Sequence, residues 1–131
     1  MLILLDPRPG DRVLDVGSGS GWTTALLAHL VGPEGSVVGV ERIPELIVAS
    51  RAGLADRYPT AELHLAEPRV LGWPERAPYD RVLASALLEQ LAVGGVLVLP
   101  VRGVMHRIVL TPEGPTDERH GRYAFVPLIE D

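Results

Sequence analysis

The chain has 131 residues, 47% hydrophobic, 22% charged and 5% aromatic, a globular composition long enough for one hydrophobic core but not two. Seventeen acids face twelve bases, all of them arginine, for a net charge of −5; an acidic chain without a basic run matches a nucleic-acid backbone poorly. Cysteine is absent, which excludes disulfides, thiolate metal sites and cysteine nucleophiles and fits a reducing, cytoplasmic setting.

Met1 to Leu5 is apolar but stops at Asp6-Pro7 and has no basic residue before it, so it does not read as a signal peptide. No apolar run approaches the roughly 18 residues that span a bilayer, and a soluble protein without a membrane partner is expected. Val13–Val16 predicts a strand, closed by the glycine cluster Gly17–Gly21. Trp22–Val31 predicts a helix with Trp22, Leu26 and Leu30 on its apolar face, ended by Gly32-Pro33. Ser36–Glu41 is a second strand. Pro44 opens a second helix running to about Tyr58, with Glu45 near its positive end. Ala61–Leu65 is a third strand, Glu67–Pro78 a loop and Asp80–Ala84 a fourth strand. Ala86–Ala92 predicts a short helix with Leu87, Leu88 and Leu91 in the core, ended by Gly94-Gly95. Val96–Val101, Met105–Leu110 and Tyr123–Leu128 complete the strands, the last two joined by a polar loop around Pro112–Gly121.

Strands alternating with helices imply right-handed βαβ units. The expected fold is α/β and doubly wound: a Rossmann-like, mostly parallel seven-stranded sheet covered on both faces, with an antiparallel C-terminal hairpin. Without a linker or repeat, residues 1–131 read as one domain.

The strongest chemical pattern is strand, glycine turn, helix over Val13-Leu14-Asp15-Val16-Gly17-Ser18-Gly19-Ser20-Gly21-Trp22. Glycines let backbone N–H groups approach a ligand closely, and the helix N-terminus favours an anionic group. Glu41 ends the next strand, where doubly wound folds place the acid that accepts hydrogen bonds from ribose hydroxyls. A dinucleotide fingerprint needs a third glycine where this chain has Trp22, and no lysine is present for a P-loop. A compact G-x-G-x-G turn with an acidic second strand end is the pattern of S-adenosylmethionine binding. Asp15 then faces the ammonium group of that cofactor. Another nucleotide, or a turn that serves packing alone, remains open, and an acid at the position of Asp15 also serves to hold its own loop. Ser18 is a cofactor contact or a plain turn residue.

The residues from Met1 through Ala28, the stretch Gly39-Val40-Glu41-Arg42-Ile43-Pro44-Glu45-Leu46, the segment Gly72-Trp73-Pro74-Glu75-Arg76-Ala77-Pro78-Tyr79-Asp80-Arg81, the runs Ala86–Leu91 and Gly94–Val101, and the ending Phe125-Val126-Pro127-Leu128 together resemble the protein-L-isoaspartate O-methyltransferase family. The resemblance covers nearly the whole chain in order. It implies a class I methyltransferase core, S-adenosylmethionine as cofactor, and methyl transfer to the α-carboxylate of isoaspartyl residues, a protein-repair reaction. Asp15, Gly17, Ser18, Gly19 and Glu41 are the implied cofactor residues. Three departures accompany it. The family carries an N-terminal segment with a Ser/Thr motif ahead of the part matching Met1. Its Gly-Asp-Gly turn at the adenine is here Ala66-Glu67-Pro68, so Glu67 is the candidate adenine-side acid or a solvated loop residue. Its substrate-groove prolines after the fourth strand are missing where Leu83-Ala84-Ser85 runs into Ala86-Leu87. The alternative is therefore a non-catalytic cofactor-binding or interaction module that has lost its substrate segments.

Other candidates are plainer. Ser85 is a site residue at the crevice or a helix N-cap. His29, His64, His106 and His120 lack metal spacing, Trp22 and Trp73 read as packing residues, and Arg119-His120 as solvated surface. The expected partners are a protein or peptide carboxylate substrate and either a second copy or a partner chain covering the place of the N-terminal segment.

Overall fold

The computed structural model describes residues 2–54, 56–70, 72–83, 91–101 and 103–122. In chain order they form α1 (Leu2–Leu5), β1 (Arg12–Val16), α2 (Trp22–Val31), β2 (Ser36–Glu41), α3 (Pro44–Leu54), β3 (Ala61–Leu65), a 3-10 turn (Pro74–Arg76), β4 (Tyr79–Leu83), β5 (Leu91–Val101), β6 (Val104–Thr111) and β7 (Gly114–Arg122). The strands make one seven-stranded sheet in the order β3-β2-β1-β4-β5-β6-β7. Neighbours from β3 through β5 pair parallel, and β6 and β7 add antiparallel. This is the expected α/β sheet with its C-terminal hairpin, and it puts the carboxyl ends of β1, β2 and β3 at one edge, where such sheets bind ligands.

Period-2 alternation sorts the strand residues between two faces. Val13, Val37, Leu83, Val96, Val98 and Met105 form one core with Leu5 of α1 and Leu27, Ala28 and Val31 of α2. On the same face Ile47 and Leu54 of α3 pack on Leu63. The opposite face gathers Leu14, Val38, Val40, Val82, Leu97 and Leu99, with Trp73 and Ala77 packed against them. Among the described residues all three helices lie on the first face, and the second is covered by the segment between β3 and β4. Arg51 of α3 reaches over the sheet edge and donates to the Leu63 carbonyl from Nε (3.0 Å) and Nη2 (2.6 Å).

Several expectations change. The Trp22–Leu26–Leu30 stripe does not face the sheet: Trp22 is 70% and Leu30 42% exposed, while Thr24, Leu27, Ala28 and Val31 are buried. The helix is apolar almost all round, so periodicity offers two stripes and the sheet takes the one with smaller side chains at its N-terminal end. The polar run expected to be a loop around Pro112–Gly121 is instead mostly β7, with Pro112-Glu113 as a tight turn. Charge and Pro115 are what an edge strand tolerates and a central one does not. Leu91 and Ala92, expected to end a helix, begin β5. The register there jumps from Tyr79↔Leu91 to Arg81↔Val96, so Gly94 (φ 84°) and Gly95 sit in a bulge. The second helix stops at Leu54, and Arg57 and Tyr58 donate to its carbonyl as a closing turn. Residues 84–90, which include Ser85, Leu87 and Leu88, and the expected strand Tyr123–Leu128 lie outside the described residues.

Candidate functional site

The site begins at the carboxyl end of β1. Gly17, Gly19 and Gly21 have φ of 80°, 56° and 84°, a left-handed backbone that glycine adopts without strain. The turn folds back onto β2, where the Val40 carbonyl accepts the Gly17 (2.7 Å) and Ser18 (3.1 Å) N–H groups. Gly21 caps α2 without a side-chain hydrogen bond, so the first N–H groups of that helix keep their capacity for an anionic or polar ligand group.

Glu41, at the end of β2, reaches this turn. Its Oε2 accepts the Gly19 N–H at 2.7 Å, and its Oε1 accepts the N–H groups of Arg42 (2.8 Å) and Ile43 (3.2 Å). Three backbone donors fix the carboxylate beside the glycines, and it remains 9% exposed. Asp15 lies beneath the turn, 3% exposed. Its Oδ2 accepts the Thr24 hydroxyl at 2.8 Å. Burial pushes the Asp15 carboxyl up to about 6, the Thr24 hydrogen bond opposes this, and the nearby Glu41 charge adds to it.

Ser18 turns inward. A Cβ on Gly39 of β2 would meet Ser18 Cβ at 3.2 Å, Thr24 Oγ1 at 2.9 Å and Leu63 Cδ2 at 2.7 Å, so only glycine fits there. The Ser18 hydroxyl is buried without a hydrogen-bond partner, an orphaned polar atom at the base of the turn. Ser50 of α3 donates toward the Gly19 carbonyl (3.1 Å) and the Leu46 carbonyl (2.6 Å). The buried polar residues among those described are Asp15, Ser18, Thr24, Glu41 and Ser50. All five lie in or against this turn, where burying polar atoms otherwise costs stability.

The structure thus brings Asp15, Gly17, Ser18, Gly19 and Glu41 together. Glu67 stands apart from this cluster: it is exposed, in a turn closed by the Val70 N–H on its carbonyl at 3.2 Å. Its segment still leaves the same sheet edge, since the Ala66 N–H donates to the Glu41 carbonyl at 2.8 Å. Trp73 is half-buried and stacks on His64, with ring centroids 4.1 Å apart and planes 8° from parallel. Trp22 instead stands exposed at the rim of the turn, contrary to the packing role expected for it. Sequence reasoning missed Thr24 and Ser50. Their signal was a hydroxyl side chain on the otherwise apolar buried stripe of a helix.

A family model described as protein-L-isoaspartate(D-aspartate) O-methyltransferase matches residues 1–130. The chain belongs to this family. A protein-L-isoaspartate O-methyltransferase of Ignicoccus hospitalis is 42% identical over 95% of the chain and 65% of its own length. One of Methanopyrus kandleri is 45% identical over 98% of the chain and 63% of its own length. The chain therefore spans less than two thirds of these relatives. Among solved structures, a protein-L-isoaspartate O-methyltransferase superposes with a TM-score of 0.82 at 20% identity, over 98% of this chain and 45% of that one. A Plasmodium falciparum protein of the same description, in complex with S-adenosyl-L-homocysteine, gives 0.74 at 23% identity, over 99% and 70%. These two likenesses show the shared fold.

Proposed function

We propose that the chain is an S-adenosylmethionine-dependent methyltransferase of the protein-L-isoaspartate type, acting in the cytoplasm on the α-carboxylate of isoaspartyl residues in proteins or peptides. Membership of the family and the names of the relatives support the reaction class. The observation that carries the cofactor assignment is the junction of Glu41 with Gly19: a buried-edge carboxylate fixed by three backbone donors beside a left-handed glycine turn. The donor set fits this cofactor. Backbone N–H groups take three of the roughly four acceptor sites of Glu41, and the remaining one is available to a ribose hydroxyl. Gly17 and Gly19 let the main chain come close, and Asp15 supplies negative charge beneath the turn for an ammonium group. Ser18 anchors the turn through its N–H on the Val40 carbonyl, and Glu67 belongs to the adenine side. Trp22, where a dinucleotide site needs glycine, favours a ligand without a pyrophosphate.

When bound, S-adenosylmethionine supplies an electrophilic methyl group on a positively charged sulfur. The acceptor carboxylate is already a nucleophile, so the protein's work is to hold the two groups in line and keep water from the attacking oxygen. No proton has to be removed, so the reaction asks for no general base. The test is transfer of labelled methyl groups to an isoaspartyl peptide. Base-labile label on that peptide and none on its aspartyl isomer is expected. Cofactor binding without transfer would leave a binding module in place of an enzyme.

A further inference from the structure

Residue 50 lies on the buried face of α3 with Ile47 and Leu54, where packing alone favours an apolar side chain. It is a serine, 4% exposed. A Cβ placed on Gly21 would lie 3.0 Å from Ser50 Cβ, 3.3 Å from its hydroxyl and 3.2 Å from Leu54 Cδ1. Helix α3 therefore presses on the glycine turn at this point, and only a small side chain fits at position 50. A hydroxyl carries one proton. The Leu46 carbonyl, at 2.6 Å, is the acceptor that a serine within a helix ordinarily reaches, and the Gly19 carbonyl, at 3.1 Å, is the second and longer arm of a shared bond. The Gly19 carbonyl belongs to a different element, 31 residues away in sequence.

Gly19 is consequently held from two sides, its N–H by Glu41 and its carbonyl by Ser50. Its third side is open: a Cβ there would meet nothing within 4 Å. The two ties differ in what happens when a ligand arrives. A ribose brings two hydroxyls to a Glu41 carboxylate with about one acceptor site left, so the second competes with the Gly19 N–H. Ser50 holds the opposite end of the residue and stays out of that competition. We propose that Ser50 is a positioning residue for the cofactor turn, holding the Gly19 carbonyl from α3 so that the turn keeps its shape while Glu41 engages the ribose. This rests on the cofactor assignment above.

The test is Ser50→Ala, which keeps the Cβ against Gly21 and suits a helix. Titrated with S-adenosylhomocysteine, the variant binds about three- to tenfold more weakly than wild type, the effect of one hydrogen bond on a preorganised site. Its KM for the cofactor rises, while kcat at saturating cofactor stays within about twofold, as loss of uniform binding requires. In the ligand-free protein the Gly19 amide exchanges faster, while the amides of Leu14 and Val38 are unchanged. Ile47→Val is the control: it lowers the Tm through α3 packing and leaves affinity unchanged. Equal affinity of Ser50→Ala and wild type overturns the proposal, as does a loss of affinity that Ile47→Val reproduces at equal Tm. Failure of the wild type to bind would instead fall on the cofactor assignment. The Ser50 tie is then judged by exchange alone, and an unchanged Gly19 rate would overturn it.

Discussion

Asp15 and Glu41 show how one turn sets two carboxylates to different tasks. Glu41 is fixed by three backbone N–H groups. Asp15 keeps one hydroxyl partner and is raised to about 6 by burial. Its folded-state value lies above the ordinary 3.8, so the folded chain holds the proton more tightly than the unfolded one. Stability therefore falls as pH rises from about 4 to about 6 and stays at the lower level above that. Asp15→Asn keeps an oxygen for the Thr24 hydroxyl and removes this slope. Denaturant unfolding should show the variant gaining on wild type between pH 4 and pH 7.5, by on the order of 2 kcal/mol; parallel profiles would contradict the buried, proton-hungry carboxyl. Glu41→Ala leaves backbone donors without their acceptor and should cost about 1–3 kcal/mol in the same assay. Both acids were legible in the sequence as site candidates, because a strand end beside a glycine turn is a recognisable place. Their division of labour was not, because it depends on Thr24 and on the N–H groups that follow Glu41.

Helix α2 and strand β2 carry the clearest consequences of packing. Leu27 is fully buried while Leu30, three residues on, is 42% exposed. Leu27→Ala should destabilise by about 2–5 kcal/mol and Leu30→Ala by well under 1 kcal/mol. The opposite order in thermal unfolding would restore the Trp22–Leu26–Leu30 stripe to the core. Gly39 makes the same point for the strand. A methyl there would lie 2.7 Å from Leu63 Cδ2 and 2.9 Å from Thr24 Oγ1, so Gly39→Ala should cost about 1–3 kcal/mol by overpacking. It should also loosen the turn through Ser18 and Thr24, read as weaker cofactor binding in calorimetry. The span of α2 and the parallel strands were legible because apolar period and glycine punctuation agree there. The face of α2 was not, since an all-apolar helix leaves the choice to shape. Strand β7 was hidden for the opposite reason: at a sheet edge, hydrogen bonding rather than apolar burial makes the strand, and its charges read as a loop.

Across the whole molecule, the described buried polar residues converge on one corner of the sheet, while the two cores on either face are apolar. Burying polar groups costs stability unless they are paired, and a concentration of them at the strand ends, with the Ser18 hydroxyl unpaired, marks where the fold gives up apolar packing. The mostly parallel sheet and the antiparallel hairpin followed from the alternation of elements; the strand order did not. The placement of all three described helices on one face did not, because it depends on a 66–78 connection that uses a 3-10 turn and Trp73 in place of a helix. Whether the Gly17–Gly21 turn and Glu41 form an S-adenosylmethionine site is decided by isothermal titration calorimetry of the chain with S-adenosylhomocysteine. The predicted result is saturable binding to one site per chain, weakened at least tenfold in Glu41→Ala and absent with NAD; no heat with S-adenosylhomocysteine, or saturable binding of NAD instead, would contradict it.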